Sequence, residues 1–150
     1  MQKVNGKTAF ITGGAEGIGY HVGRALASRG MRIMLADIDA EMLEAAVSAL
    51  KAEGFDAEGV VCDVSVKENL RAAAEKTAET FGRVHVLVNN AGVSVIGAQK
   101  NIPEQNWRWI IDVNLMGVVY GIQVFVPLIQ SHQEGGHILN VASMAGMKGL

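Results

Sequence analysis

The chain has 150 residues, 49% of them hydrophobic, and a formal net charge of −2. That is the size of one domain with enough apolar residues for a core, and the near-neutral charge argues against a nucleic-acid-binding protein, which carries a basic patch or stripe. A single cysteine, Cys62, excludes an internal disulfide, and the opening MQKVNGK has no apolar signal region, so a cytoplasmic location is expected.

In chain order, residues 7–12 (KTAFIT) form a short apolar run ending in glycines, which predicts a strand. Residues 17–29 read as a helix closed by Gly30, and residues 31–37 (MRIMLAD) as a second buried strand. Asp39 is placed to cap a helix whose Met42, Leu43, Ala46, Val47 and Leu50 share one face, ended by Gly54. Residues 58–64 (EGVVCDV) make a third strand. Ser65 and Glu68 have capping-box spacing for a helix running to Phe81 and Gly82. Residues 84–90 (VHVLVNN) make a fourth strand, Pro103 suits the first turn of a long helix, and residues 136–143 (GHILNVAS) make a fifth strand. The long helix, 103–131, is apolar on more than one side, which predicts burial on both: one face on the sheet, the other against a second subunit or under a C-terminal part of the chain beyond these residues. Its apolar core, 113–129, is broken by Asn114, Gln123 and Pro127 and reads as a poor membrane span. Pro127 is a place for a kink.

Strands alternating with helices, with near-continuous apolar strands, predict an α/β fold: a doubly wound parallel sheet covered on both faces. Ligands of such sheets bind at the carboxyl ends of the strands. The residues there are Thr12-Gly13, Asp37, Asp63, Asn89-Asn90 and Ser143, all polar or glycine after an apolar run.

TGGAEGIG, residues 12–19, joins the first strand to the first helix. Glycines allow positive φ and close backbone approach, and a helix N-terminus offers free N–H groups to a pyrophosphate. The spacing of Gly13, Gly17 and Gly19 is a variant of the dinucleotide fingerprint, and its place after the first strand strengthens it. Asp37 follows Gly19 by 18 residues. A carboxylate there can accept from both hydroxyls of an adenosine ribose and repels a 2′-phosphate. With Glu16 inside the loop, it favours NAD over NADP. GKT at residues 6–8 lacks the upstream glycine of a P-loop, and Ser143 sits in VASMA rather than G-x-S-x-G, so neither ATP binding nor a hydrolase nucleophile is expected. His21, His85, His132 and His137 share no metal spacing and read as surface or strand-edge residues. Trp107 and Trp109 are two apart and read as packing residues.

Across all 150 residues the sequence resembles the short-chain dehydrogenases/reductases: TGGAEGIG, Asp37, CDV at 62–64, NNAG at 89–92, DVNLMG at 112–117 and NVAS at 140–143 match family motifs in order. The resemblance implies a Rossmann fold with strand order 3-2-1-4-5 and a hydride transfer between NAD and a small alcohol or carbonyl substrate. It assigns cofactor contacts to Gly13, Gly17, Ile18, Gly19, Asp37, Ile38, Asp63, Val64, Asn90, Ala91, Gly92 and Val113. Ser143 would hydrogen-bond the substrate oxygen, and Asn114 would hold a proton-relay water. No metal is implied. Pairing of the 103–131 helix in a homodimer or homotetramer is. The family's Tyr-x-x-x-Lys base is not in this sequence: Tyr120 is followed four residues on by Val124, and Tyr20 lies in the helix after the glycine loop. These residues are therefore expected beyond Leu150, in a longer enzyme of which 1–150 is the dinucleotide-binding domain, incomplete at its C-terminus. The rival expectations are a non-catalytic NAD-binding module or redox sensor, and a methyltransferase-like domain, against which NNAG and NVAS argue.

Overall fold

Five short strands, β1 (Thr8–Thr12), β2 (Arg32–Asp37), β3 (Ala57–Val61), β4 (Val86–Asn89) and β5 (His137–Asn140), pair in parallel in the order β3-β2-β1-β4-β5. The structure, a computed structural model, describes residues 4–146. The expected doubly wound sheet and its strand order are both present. Each strand is one to three residues shorter at an end than its apolar run, because the run continues into loop residues that the neighbouring strand no longer pairs.

All five residues of β1 are buried, since the central strand of a parallel sheet is covered on both sides. Alternate side chains therefore enter different cores. Ala9 and Ile11, with Ile33 and Leu35 of β2, pack under α1 (Gly17–Ala27) and α2 (Ala40–Ala52), against Ala27, Leu43 and Leu50. Phe10, with Met34 and Leu87, packs on the opposite face against Leu70 and Ala74 of α3 (Lys67–Phe81) and against Phe125. The Phe10 and Phe125 rings lie 4.3 Å apart at 31°. Phe125 belongs to α5 (Gly117–Ser131).

Asp39 caps α2 as expected, accepting from the Met42 N–H at 3.0 Å. The capping box at Ser65 and Glu68 does not form. The Ser65 N–H and hydroxyl both donate to Asp63 Oδ1, at 2.9 and 2.7 Å, and α3 begins at Lys67 after an uncapped Val66. A carboxylate two residues upstream outcompetes the helix for the serine.

The long helix is not uniform. It runs as α4 (Glu104–Ile111), a π-helical turn at Asp112–Met116, and α5. The whole stretch Glu104–Ser131 is long and apolar enough to cross a membrane by length and composition, with a mean hydropathy of 1.6 over its best window. The reading of it as a poor span is corrected to that extent, since its polar interruptions are too few. In the structure Phe125 and Ile129 cover the sheet, while Ile111, Leu115 and Ile122 face outward and exposed. Burial all round is thus met on one face only. The four residues of β5 are exposed, and Ile138 and Leu139 form an apolar sheet edge.

Candidate functional site

The glycine loop is held by bonds from three directions. Thr12, buried at the end of β1, accepts at Oγ1 from the backbone N–H groups of Asn90 (3.0 Å) and Ala91 (3.1 Å). Asn90 returns the tie, its Nδ2 donating to the carbonyls of Thr12 (3.0 Å) and Gly13 (2.9 Å). Asp37, at the end of β2, accepts at Oδ2 from the Ala15 N–H (3.0 Å) and at Oδ1 from the Asp39 N–H (3.2 Å). An ionised carboxylate has about four acceptor positions, so capacity for two ligand hydroxyls remains.

Two glycines in the loop have different jobs. Gly17 opens α1 with φ +53°, and a Cβ on it would meet nothing within 4 Å, so the loop is open on that side. Gly19 faces inward: a Cβ there would lie 2.0 Å from the Gly13 carbonyl oxygen and 2.6 Å from Asn90 Nδ2. Gly19 therefore sets the approach of α1 to the loop, and it is not among the residues that line the cavity described next.

That cavity, about 440 Å³, sits at the carboxyl ends of β1 to β4. It is lined by eleven of the predicted cofactor residues: Gly13, Gly17, Ile18, Asp37, Ile38, Asp63, Val64, Asn90, Ala91, Gly92 and Val113. Sequence reasoning missed Cys62, Ser65, Val93 and Trp109 as lining residues. Trp109 precedes Val113 by four residues, a spacing that puts both on one helix face. The reading of the two tryptophans as packing residues is corrected, because Trp107 and Trp109 are 41% and 48% exposed. The Cys62 thiol is pushed up to about 11, by burial first and by the neighbouring Asp63 carboxylate second.

A larger hollow of about 560 Å³ lies between α5 and the open β5 edge, lined by Val126, Ile129 and Ile138. Gln130, Gln133 and His137 supply its polar lining, and no carboxylate, lysine or arginine is among the described lining residues.

Asn114, in the π-helical turn, is tied twice to Val93: its Oδ1 accepts from the Val93 N–H (2.8 Å) and its Nδ2 donates to the Val93 carbonyl (2.9 Å). It pins the loop after β4 to the long helix. Ser143 lies three residues past β5, exposed, and its Oγ accepts from the Ala145 N–H at 3.1 Å. It does not line the cavity. His85, expected as a surface or strand-edge residue, is buried, 2% exposed. Its Nδ1 accepts from the Thr8 N–H at 3.2 Å, and its Nε2 meets Glu134 Oε2 at 3.1 Å, at the end of the sheet away from the cavity.

The donor set fits a dinucleotide. The first-turn N–H groups of α1 have no intrahelical partners and suit a pyrophosphate. Asp37 suits a ribose, and the apolar walls beyond it suit a base. A parallel 3-2-1-4-5 sheet with this loop and this acid defines a dinucleotide-binding Rossmann domain. The sequence model of the short chain dehydrogenase family matches residues 7–150, and the chain belongs to that family. It is similar to cyclohexanol dehydrogenase of an Acinetobacter species (36% identical over 149 residues, 99% of this chain and 59% of the relative). It is also similar to C alpha-dehydrogenase of a Sphingobium species (37% over 150 residues, 99% of this chain and 49% of the relative). A short chain dehydrogenase/reductase from Burkholderia phymatum, solved in complex with NAD, superposes with a TM-score of 0.97 at 40% identity, covering 100% of this chain and 53% of that one. The chain thus spans about half the length of relatives it matches. Relatives named as dehydrogenases and reductases make it part of an oxidoreductase family.

Proposed function

We propose that the protein to which this chain belongs is an NAD-dependent oxidoreductase that moves a hydride between the nicotinamide and a secondary alcohol or ketone, residues 1–150 being its dinucleotide-binding domain. The carrying observation is the cavity itself, where the open glycine loop, Asp37 and Asp63 converge at the strand ends. In this reading the α1 N-terminus and the Gly13–Gly17 backbone bind the pyrophosphate, and Asp37 accepts from the ribose hydroxyls. When bound, NAD supplies the hydride acceptor or donor. Asp37 and Glu16 favour the cofactor without a 2′-phosphate, because two carboxylates at the ribose end repel one.

Ser143 orients the substrate oxygen in this reading. Asn114 acts through Val93, keeping the loop after β4 in place, and supports a relay water. The base that removes the hydroxyl proton is a tyrosine beside a lysine in the family, and neither Tyr20 nor Tyr120 lines the cavity. The outward apolar face of the long helix, with Ile111, Leu115 and Ile122, supports pairing with a second subunit.

The test is calorimetric titration with NAD, NADP and S-adenosylmethionine. Tighter binding of NAD than of NADP, with no binding of S-adenosylmethionine, supports the reading. Binding of S-adenosylmethionine alone sinks it. Binding of NAD by a full-length protein that oxidises no alcohol leaves the non-catalytic module.

A further inference from the structure

We propose that the Trp109 indole is the outer wall of the adenine end of this cavity and lies against the face of the bound base. The inference rests on the dinucleotide reading given above.

The cavity divides by chemistry. Gly13 and Gly17 stand at the phosphate end, and the Asp37 carboxylate marks the ribose. Of the remaining wall, Ile38, Val64, Val113 and Trp109 are apolar and accommodate the face of a flat group, while Asp63, Ser65 and Asn90 are polar and suit its edges. Trp109 is the one aromatic ring among the described lining residues.

Its placement follows from the helix. Trp109 lies in α4, and Val113 lies four residues on, in the π-helical turn. That spacing stacks the two side chains on one face. Val113 is buried at 8%, while the indole one turn earlier is 48% exposed, at the rim.

Ile18, Ile38 and Trp109 are all large, apolar and more than a third exposed, and all three border the same hollow. Apolar surface gathered at a cavity mouth is surface that a ligand covers. A tryptophan supplies the broadest ring for stacking a base, and such stacking is tolerant of the base's edges. Ile18 and Ile38 have no ring to offer, so the stacking falls to Trp109. Trp107, of similar exposure, does not line the cavity and serves as the internal control.

Residues 1–150 hold two tryptophans; in the full-length protein Trp107→Phe, with any tryptophan outside these residues also changed to Phe, leaves Trp109 as the sole tryptophan. The emission of that variant is titrated with NAD, ADP-ribose and nicotinamide mononucleotide. Calorimetry with NAD and ADP-ribose is run in parallel on the full-length protein without substitution and on its Trp109→Ala and Trp109→Phe variants. The expected result is quenching by NAD and ADP-ribose but not by the mononucleotide. Trp109→Ala weakens NAD and ADP-ribose binding about tenfold, and Trp109→Phe loses only about two- to threefold. Unaltered NAD affinity in Trp109→Ala, or an emission that does not respond to saturating NAD, overturns the inference while leaving the dinucleotide site standing. If the unsubstituted full-length protein binds no NAD, both fall. If Trp109→Ala fails to fold, the phenylalanine variant and the quenching profile decide alone.

Discussion

Thr12 and Asn90, 78 residues apart, are tied twice: the Asn90 N–H donates to Thr12 Oγ1 and the Asn90 amide donates to the Thr12 carbonyl, each at 3.0 Å. The pair joins the ends of β1 and β4 at the floor of the cavity. Thr12→Val keeps the shape and removes the acceptor of the Asn90 and Ala91 N–H groups. Each orphaned group costs about 1–3 kcal/mol when buried, so the variant should lose at least about 1 kcal/mol in urea unfolding, and Thr12→Ser should recover most of it. A valine variant as stable as the parent would show that water replaces the hydroxyl.

Asp37 has a structural duty beside its proposed binding duty, since it accepts from the Ala15 and Asp39 N–H groups. Asp37→Ala should therefore loosen the loop for any dinucleotide and remove the ribose acceptor as well. Loss of hydrogen bonds to a charged group costs about 1.5–3 kcal/mol, or roughly 10- to 100-fold in affinity for NAD. The loss for NADP should be smaller, because repulsion of its 2′-phosphate goes too. Equal losses for the two cofactors, measured by calorimetry, would remove the ribose assignment and keep only the structural role.

Gly19→Ala places a methyl group 2.0 Å from the Gly13 carbonyl oxygen, a backbone atom that cannot swing aside. Overpacking of this kind costs about 1–3 kcal/mol, and the loop must move to relieve it. Both the unfolding midpoint and NAD affinity should fall. Gly54→Ala is the comparison: unlike Gly19, Gly54 carries positive φ, at +84°, but its Cβ meets nothing within 4 Å. It should lose only about 1 kcal/mol and no cofactor affinity.

The far end of the sheet predicts sensitivity to acid. Burial pushes the His85 imidazole below its usual range; Lys7 and His132 push the same way, and the Glu134 carboxylate pulls it partly back. A histidine with a depressed folded value favours the neutral form. Its stabilisation is present above about pH 6.5 and is lost as pH falls through the folded value. Glu134, hydrogen-bonded by Lys7, His85 and Arg83, is lowered from 4.5 to about 2. Its contribution is present above pH 4.5 and is lost between there and about 2. Thermal unfolding across pH should show two descending steps. Glu134→Gln should abolish the lower one and keep the upper. A single step unaffected by that substitution would show that the contacts contribute nothing.

Much of the architecture was legible because it is local. Apolar runs marked every strand, and Asp39 capped α2 where its spacing put it. What was misread is where two interactions compete. Ser65 had the spacing to cap α3, but Asp63, closer along the chain, took its hydroxyl. His85 read as a strand-edge residue, yet the Thr8 N–H and Glu134 give its ring polar partners inside the fold. Trp109 read as packing because periodicity within one helix says nothing of what lies opposite.

The sequence by itself determined which residues stand at the carboxyl ends of the strands, because alternating apolar segments and glycine turns are set by neighbours in the chain. It thereby determined the doubly wound sheet and most of the candidate cofactor residues. Only the tertiary structure decided how those ends are joined: the Thr12–Asn90 ties, the Asp37–Ala15 bond, the hold of Asn114 on Val93, and the place of Trp109 at the cavity rim. The three hydrogen-bonded pairs link residues 21 to 78 positions apart, and they and the Trp109 placement depend on strand register and helix rotation, which no single segment specifies.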